Sequence, residues 1–417
     1  MKLLFLTSVK VDISDAENYT KTMSKSGGWI SMHIRCLRSS DFIERADVIS
    51  VAPDYDNHTE ISGNIVCHFI KGKTVSLSPQ KELTREFQKI IDEAKPDIID
   101  IQGAEFTVGK DLLCCKYDCP VIVTLQGFPT EISKAYDAGM PRYYRWIRTF
   151  FDWTHLKGMY EKQKYMRKRG KISEEILGKA DYFVGRTEWD HAVSWRANPK
   201  AKYFYVGRLL RDDFYSAKWD INNIERHSIF GIQGRDSAKG LHIMLEALNI
   251  LKKIYPDVKL YIPGAYTYNS SRLKMPGYEK YIRKLIKKYS LEKNVEFTGS
   301  LNASQMAERL LKCNVFCLHS MNENSPNSLG EAMAVGAPCV STYVGGVATY
   351  VEPEKTALVC DRTEAGTMAY MINRIFENDE LAQKLSDNAY EDARRRFDIK
   401  TNSGSIINVY KEISGIR

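Results

Sequence analysis

The sequence predicts an α/β protein with two parallel-sheet domains. The chain has 417 residues, of which 43% are hydrophobic and 27% charged. Such a chain is too long for one ordinary core and has the composition of a globular protein. Each half alternates short apolar runs with helical stretches, the pattern of a parallel sheet with helices on both faces. Two α/β domains in series are therefore expected.

Short apolar runs mark the expected buried strands. In the first half they cover residues 3–9, 46–53, 64–70, 96–103, 120–127 and 181–187. In the second half they cover residues 227–234, 258–264, 294–299, 314–320 and 337–342, and the helical period of LHIMLEALNILKKIY predicts a helix between two of them. The polar, weakly periodic stretch 208–226 predicts an interdomain connection, with the boundary near Asp220.

The opening residues and the cysteines favour a cytoplasmic protein with reduced thiols. MKLLFLTSVKVDIS turns polar after Val9, unlike a secretory leader, and no apolar run approaches the ~20 residues of a membrane helix. Nine cysteines form no CxxC pair. The cluster Cys114, Cys115 and Cys119 lacks a second ligand pair, so core packing is a better interpretation than a metal site.

The positive charge is concentrated in residues 141–171. Lys and Arg exceed Asp and Glu by 60 − 52 = 8, while this segment alone holds ten basic and two acidic residues. One local anionic partner is therefore a better prediction than general nucleic-acid binding. The segment interleaves the cations with Tyr, Trp and Phe, as interfacial membrane segments do. A helical pair with inward aromatics, or a lip that binds an acceptor, remains an alternative.

The stretch ENSPNSLGEAMAVGAPCVSTYVGG, residues 323–346, contains the most informative pattern. A strand enters a polar loop, a helix begins near Ser328, and seven residues separate Glu323 from Glu331. A helix N-terminus after the carboxyl end of a strand favours an anionic ligand such as a diphosphate. The alternative is a solvated Glu323 and a Glu331 placed for the helix dipole.

A second stretch, FGIQGRDSAKGLHIMLEAL, places two cations between a strand and a helix. Arg235 and Lys239 could there neutralise the charge on a departing diphosphate, with Gln233 as a substitute contact. The alternative for Lys239 and the following Gly240 is a plain surface turn.

Two weaker elements follow strands of the first half. Gly27 and Gly28 lie in SGGW, where glycines let the backbone approach a phosphate closely. Gln126 ends PVIVTLQ and can hydrogen-bond a sugar hydroxyl, although it cannot titrate near neutral pH. His319 is expected to be a satisfied core residue. The sequence Asp54-Tyr55-Asp56 suggests a turn, and we expect no metal site.

The pattern Glu323-x7-Glu331, with GEAMAVGAP and the following GG, resembles the signature of retaining GT-B enzymes of glycosyltransferase family 4, within glycosyl transferases group 1. The similarity extends to KADYFVGRTEWD and to the helical tail EDARRRFDIKTNSGSIINVYKEI. It implies two Rossmann-like domains that face a central cleft, with a C-terminal helix crossing back to the first. The implied domains are an acceptor-side domain, 1–215 with 398–417, and a donor domain, 221–397.

The resemblance also implies roles for the residues that match its motifs. Glu323 would contact the donor sugar, and Glu331 the ribose diol. Arg235 and Lys239 would stabilise the leaving diphosphate, although the gap between them is one residue shorter than is usual in the family. The remaining contacts implied for the donor are Gly27, Gly28, Gln126 and the first helical residues Asn327, Ser328 and Leu329. Gln126 stands where the family commonly has His.

The implied activity is retaining, metal-independent transfer of a hexose or N-acetylhexosamine, without a separate cofactor. The expected donor is a UDP-sugar, and the acceptor a hydroxyl of a saccharide or lipid-linked sugar in cell-surface polysaccharide synthesis. The protein would be cytoplasmic and bound peripherally to the inner face of the membrane. A nucleotide-sugar epimerase of the same architecture remains an alternative. A second alternative is a non-catalytic sugar-nucleotide-binding partner, which Gln126 and the short gap between Arg235 and Lys239 favour.

Overall fold

The computed structural model describes residues 1–11, 28–145, 149–155, 158–264 and 275–415. The chain forms two compact units. Unit 1 comprises Met1–Thr130, Lys168–Arg211 and Phe397–Arg417, and unit 2 comprises Glu131–Arg167 and Asp212–Arg396. Residues 131–167 thus cluster with the second unit, whereas the sequence-based division places them in the first domain.

Strands and helices alternate along most of the chain, as the sequence predicts. The strands are β1 (Lys2–Thr7), β2 (Arg45–Ala52), β3 (His58–Ser62), β4 (Ile65–Lys71), β5 (Ile98–Gln102), β6 (Val121–Thr124), β7 (Tyr182–Gly185), β8 (Lys202–Tyr205), β9 (Glu225–Gly231), β10 (Lys259–Pro263), β11 (Val295–Gly299), β12 (Cys313–Leu318), β13 (Cys339–Thr342) and β14 (Leu358–Cys360). The helices are α1 (Gly28–Arg38), α2 (Lys81–Ala94), α3 (Val108–Leu112), α4 (Pro129–Ala135), α5 (Phe150–His155), α6 (Met159–Leu177), α7 (Glu188–Ala197), α8 (Leu241–Leu251), α9 (Gly277–Lys288), α10 (Ala303–Lys312), α11 (Asn327–Ala334), α12 (Val347–Tyr350), α13 (Ala365–Glu377), α14 (Asp379–Arg396) and α15 (Ile399–Ser414).

Unit 1 contains a sheet in the order β3-β4-β2-β1-β5-β6-β7-β8, parallel except for the antiparallel pair β3–β4. The central strands are buried on both faces, which explains their nearly continuous apolar sequences. One face packs a core that includes Phe87 of α2 and Ile176 of α6. The other face packs against Ile34 of α1 and Val409 of α15. As predicted, the final helix returns to the first unit.

Unit 2 contains a fully parallel sheet in the order β11-β10-β9-β12-β13-β14. Parallel order places the carboxyl ends of β9, β12 and β13 next to one another, and the loops that follow these strands carry the predicted donor motifs. The predicted connection, 208–226, is anchored in this unit. Its Trp219 is buried and donates from Nε1 to the Cys313 carbonyl at 2.8 Å.

Every predicted apolar run forms a strand, while the prediction missed β3, β8 and β14. Most of the side chains of β3 are polar and exposed, and β8 is half-exposed at the sheet edge, so neither has a buried apolar signature. The strand β14 has only three residues. An apolar run in the sequence indicates a buried strand, so a strand that is exposed or very short cannot be predicted from such a run.

The start of segment 131–167 is held in unit 2 by hydrogen bonds to the loop between β9 and α8 and to the first turn of α8. Tyr136 donates its hydroxyl to Asp236 Oδ2 at 3.0 Å, and Ser237 donates to the Tyr136 carbonyl at 2.6 Å. His242 Nε2 lies 2.9 Å from the Ala138 carbonyl. These contacts join residues about one hundred positions apart, which explains why sequence order alone assigns the segment to the first half.

Candidate functional site

An ion pair joins the two predicted donor motifs in unit 2. Lys239 Nζ lies 2.6 Å from Glu323 Oε1 and donates to it. The Lys239 side chain is 31% exposed and that of Glu323 is 13% exposed. Lys239 lies between β9 and α8, and Glu323 between β12 and α11. The pair therefore lies at the carboxyl edge of the sheet, where parallel α/β sheets bind ligands.

The loop that carries Lys239 is a short, capped turn. A 3-10 turn spans Ser237–Lys239, and the Asp236 side chain accepts from the Ala238 N–H at 3.0 Å. Gly240 follows with φ 69°, a left-handed conformation that glycine adopts without strain. This turn fixes the direction in which Lys239 leaves the backbone.

The side chain of His319 connects the Lys239 loop to the end of β9 through two hydrogen bonds. Its Nε2 accepts from the Ile232 N–H at 3.3 Å, so Nδ1 carries the proton and donates to the Lys239 carbonyl at 2.6 Å. Burial lowers the pKa of His319 to about 4, and the ring is neutral at neutral pH. The expectation that His319 is a satisfied core residue is confirmed, and its contacts position the loop that carries Lys239.

Helix α11 begins directly after the Glu323 loop. Pro326 is its N-cap and makes no side-chain cap, and the first N–H groups of any helix have no intrahelical acceptor. Leu329 is fully buried, and only its backbone could face a ligand. Asn327 is exposed, Ser328 is half-buried, and Glu331, one turn further on, is 6% exposed. The helix can thus present backbone donors and a buried carboxylate to one ligand.

Arg235 lies apart from this ion pair. Its guanidinium Nε is 3.7 Å from Glu279 Oε1 of α9, and its side chain is about half exposed. Both predicted cations lie on the same β9–α8 loop, but the structure pairs only Lys239 with the Glu323 carboxylate.

The predicted unit 1 residues lie at its strand ends or outside the described chain. Gln126 follows β6, and its Oε1 accepts from Arg208 Nη2 at 3.4 Å. Gly28 is the first residue of α1. Gly27 falls outside the described residues.

Three further charged residues lie at this edge of unit 1 and were not predicted from the sequence. Glu105 follows β5 and accepts from the Gly127 N–H at 3.3 Å, and desolvation raises its pKa to about 7. Arg186 follows β7 and donates to the Leu125 carbonyl at 2.6 Å. Arg208 follows β8. Each is among the first polar residues after a strand, a position that would have indicated them.

Within the described ranges, no group of three His, Cys, Asp or Glu side chains is placed to hold a metal ion. Asp54 lies in a turn after β2 and forms an ion pair with Lys10, which lowers the pKa of Asp54.

Comparison with known proteins matches residues 216–392 to the family model "Glycosyl transferases group 1". The glycosyltransferase YtcC of Bacillus subtilis, described as putative, is 28% identical over 193 residues, 46% of this chain and 46% of that protein. The colanic acid biosynthesis glycosyltransferase WcaL of Escherichia coli, also described as putative, is 32% identical over 152 residues, 34% of this chain and 35% of WcaL. The chain thus spans less than half of each of these two relatives.

Solved structures resemble the whole chain. Sucrose-phosphate synthase from Thermosynechococcus elongatus matches with a TM-score of 0.71 and 19% identity, covering 100% of both chains. HepE of Anabaena, in complex with UDP and glucose, matches with a TM-score of 0.68 and 16% identity, covering 99% of both chains. At such identities the likeness shows the fold. The chain therefore has the GT-B fold, and its residues 216–392 match the family model of the glycosyl transferases group 1.

Proposed function

We propose that the protein transfers a hexose or N-acetylhexosamine from a nucleotide-diphosphate sugar to a hydroxyl of a saccharide or lipid-linked acceptor, with retention and without a metal ion. The observation that carries the proposal is the Lys239–Glu323 ion pair beside the N-terminus of α11. A cation, a carboxylate and helix N–H groups on adjacent strand ends suit the phosphates and the sugar of such a donor.

A UDP-sugar is the donor that we favour. Structures of HepE from Anabaena, similar in fold to this chain, are described as complexes with UDP and with UDP-glucose. A role in cell-surface polysaccharide synthesis is likewise proposed, in line with the description of WcaL as a colanic acid biosynthesis glycosyltransferase. A cytoplasmic location fits a nucleotide-sugar donor.

The residues divide the chemistry between the leaving group and the sugar. In the proposed mechanism, the acceptor attacks from the face that the diphosphate leaves, through an oxocarbenium-like state, and the leaving phosphate takes the acceptor proton. Lys239 stabilises the charge that grows on the diphosphate, and Arg235 adds a second cation. In the described structure Glu323 uses Oε1 to hold Lys239, which leaves Oε2 for a sugar hydroxyl.

The proposed activity is tested by incubating the purified protein with UDP-, GDP- and ADP-sugars in EDTA. Mass spectrometry would follow the free nucleoside diphosphate and any isomerised donor. Release of one diphosphate, increased by an acceptor hydroxyl, supports transfer and names the donor. An isomerised donor without diphosphate release indicates the epimerase instead. Donor binding without turnover, in the presence of a saccharide acceptor panel, indicates the non-catalytic partner.

Replacing Glu331 with Ala should raise the donor KM about tenfold or more and lower kcat by a smaller factor. In the proposal this carboxylate binds the ribose diol, a contact made equally in the ground and transition states. Initial rates over a range of donor concentrations separate the two constants. Glu377→Ala, at the exposed end of α13, is the control and should change neither. A predominant fall in kcat would contradict the ribose assignment.

We also propose that residues 141–171 contact an anionic membrane surface. Several aromatic side chains of the segment are exposed, although the alternative interpretation expects inward packing. Phe150 is 64% and Trp153 65% exposed, and Tyr143 is also exposed, whereas Tyr144 is buried. Exposed aromatics beside cations fit the headgroup layer, where each cation contributes about 1 kcal/mol. None of the helices in the described ranges is long and apolar enough to cross a bilayer.

Replacing both Phe150 and Trp153 with Ser should weaken binding to phosphatidylserine vesicles about tenfold or more. The change removes two exposed aromatic side chains but keeps every cation of the segment. Co-sedimentation with phosphatidylserine and with phosphatidylcholine vesicles measures the effect. Tyr370→Ser is the matched control, since Tyr370 is 60% exposed on α13. Equal binding by wild type and the double variant, or no preference for the anionic lipid, would refute membrane docking.

A further inference from the structure

A pocket lies at the carboxyl ends of β6, β7 and β8 in unit 1. Its volume is about 410 Å³, including space open to solvent. Its lining includes Thr124, Arg186, Gly207, Arg208, Asn402 and Ile406. The described lining contains two arginines and no carboxylate. The pocket is therefore cationic.

Arg186 is a buried cation whose hydrogen bonds are incomplete. It is 8% exposed. Its Nη1 donates to the Leu125 carbonyl at 2.6 Å, while Nε is buried and has no hydrogen-bond partner within the described residues. Among the described residues, the Arg186 guanidinium also forms no ion pair. Buried charges are normally paired, because an uncompensated one costs several kcal/mol. An anion in this pocket would supply the missing partner.

The nearby carboxylates are already committed to other donors. Asp100 accepts from the Tyr410 hydroxyl at 2.6 Å and from Thr124 Oγ1 at 2.9 Å. Asp190 accepts from the Tyr203 hydroxyl at 2.6 Å and from the backbone N–H of Arg186 at 3.1 Å. Glu105, whose charge also reaches Arg186, accepts from the Gly127 N–H at 3.3 Å. The three carboxylates thus act on Arg186 through space, but none of them hydrogen-bonds its guanidinium. The fork geometry of Arg186 remains suited to a bidentate oxyanion.

Arg208 supplies the second cation and is held in place. It is 6% exposed, and its carbonyl accepts from Asn402 Nδ2 of α15 at 3.0 Å. His33 also lines the pocket, and burial together with Arg186 lowers its pKa to about 3, so this ring adds no charge. At neutral pH the two arginines thus carry the charge of the described lining, in a setting with little solvent screening.

We propose that this pocket binds a phosphate or carboxylate group carried by the acceptor, with Arg186 and Arg208 as its ligands. The inference rests on the proposed transfer function and deepens it by naming the acceptor class. The donor diphosphate has its own proposed site in unit 2, at Lys239 and the N-terminus of α11. A second cationic site, in unit 1, therefore indicates a second anionic substrate.

Isothermal titration calorimetry tests the proposal with glucose 6-phosphate, glucuronate and uncharged glucose, and separately with UDP. Wild type should bind at least one of the two anionic sugars and bind glucose at least tenfold more weakly. Arg186→Gln should weaken binding of that sugar about 10- to 100-fold, because charged hydrogen bonds contribute about 1.5–3 kcal/mol. Arg85→Gln, an exposed arginine of α2, is the control and should bind like wild type.

The UDP titration separates the sources of the anion and reports folding. If Arg186→Gln binds UDP like wild type, the variant is folded and the pocket serves the acceptor. If UDP binding falls as much as sugar-phosphate binding, while Arg186→Lys keeps a wild-type melting temperature and shows the same loss, the pocket serves the donor and our assignment is wrong. Absence of binding by both anionic sugars to wild type would also overturn it. Failure of the transfer function would appear instead as absent diphosphate release from every donor.

Discussion

Lys239→Ala should lower kcat about 10²- to 10³-fold and change the donor KM far less. Lys239 is the cation held 2.6 Å from Glu323 at the edge of the unit 2 sheet. The additional negative charge on the leaving diphosphate develops only in the transition state, so losing the cation that stabilises it should lower kcat. Removal of one fixed donor at such a position has an effect of this size. Steady-state diphosphate release measures it.

Three further variants make this result specific. Lys239→Arg keeps the charge and should recover part of the rate. Lys253→Ala removes an exposed lysine that follows α8 and should stay within about twofold of wild type. Glu323→Gln should also reduce the rate, and the double variant should lose less than the product of the single losses, because both side chains act on one donor. If Lys239→Ala lowers kcat by less than tenfold, Lys239 is not a catalytic residue.

Gly240→Ala should lower the unfolding midpoint of unit 2 by about 6 °C or more and abolish tight UDP binding. A Cβ at this position would lie 1.9 Å from the His319 carbonyl oxygen and 2.8 Å from Met321 Cε. The φ of 69° adds strain of about 1–2 kcal/mol for any residue with a Cβ. With alanine at position 240, the backbone of that residue and the His319 carbonyl cannot both keep their present positions. The turn that carries Lys239 must therefore move.

Thermal unfolding and UDP titration together check the prediction. The expected shift in the unfolding midpoint corresponds to a loss of about 3 kcal/mol in the free energy of unfolding. Gly366→Ala is the matched control in the same unit. Gly366 lies exposed in the first turn of α13. Apart from its chain neighbours and the backbone of its own helix, no atom of the described residues lies within 4 Å of the place that an alanine methyl would take, so alanine should not destabilise the helix. A Gly240→Ala protein that melts and binds UDP like wild type would show that the turn is not constrained as the structure describes.

The sequence was sufficient for the features that depend on local pattern. Buried strands such as β1 and β5 consist almost entirely of apolar residues, because both faces of a parallel sheet are covered. The spacing of Glu323 and Glu331 follows from a strand, a loop and a helix that are contiguous in the chain. Glycine at 240 likewise marks a local turn. The fold class and the loops that carry the candidate donor motifs are determined by residues close in sequence, and so the strands and helices around them could be predicted.

Only the tertiary structure decided which side chains meet. Lys239 and Glu323 are 84 positions apart, and the choice of Lys239 rather than Arg235 as the partner of Glu323 depends on the capped turn and on His319. The placement of residues 131–167 in unit 2 and the cationic pocket around Arg186 have the same origin. Parallel strands bring their carboxyl ends to one edge whatever lies between them in the chain, so distances across that edge, and the burial of a charge there, are set by packing and not by sequence spacing.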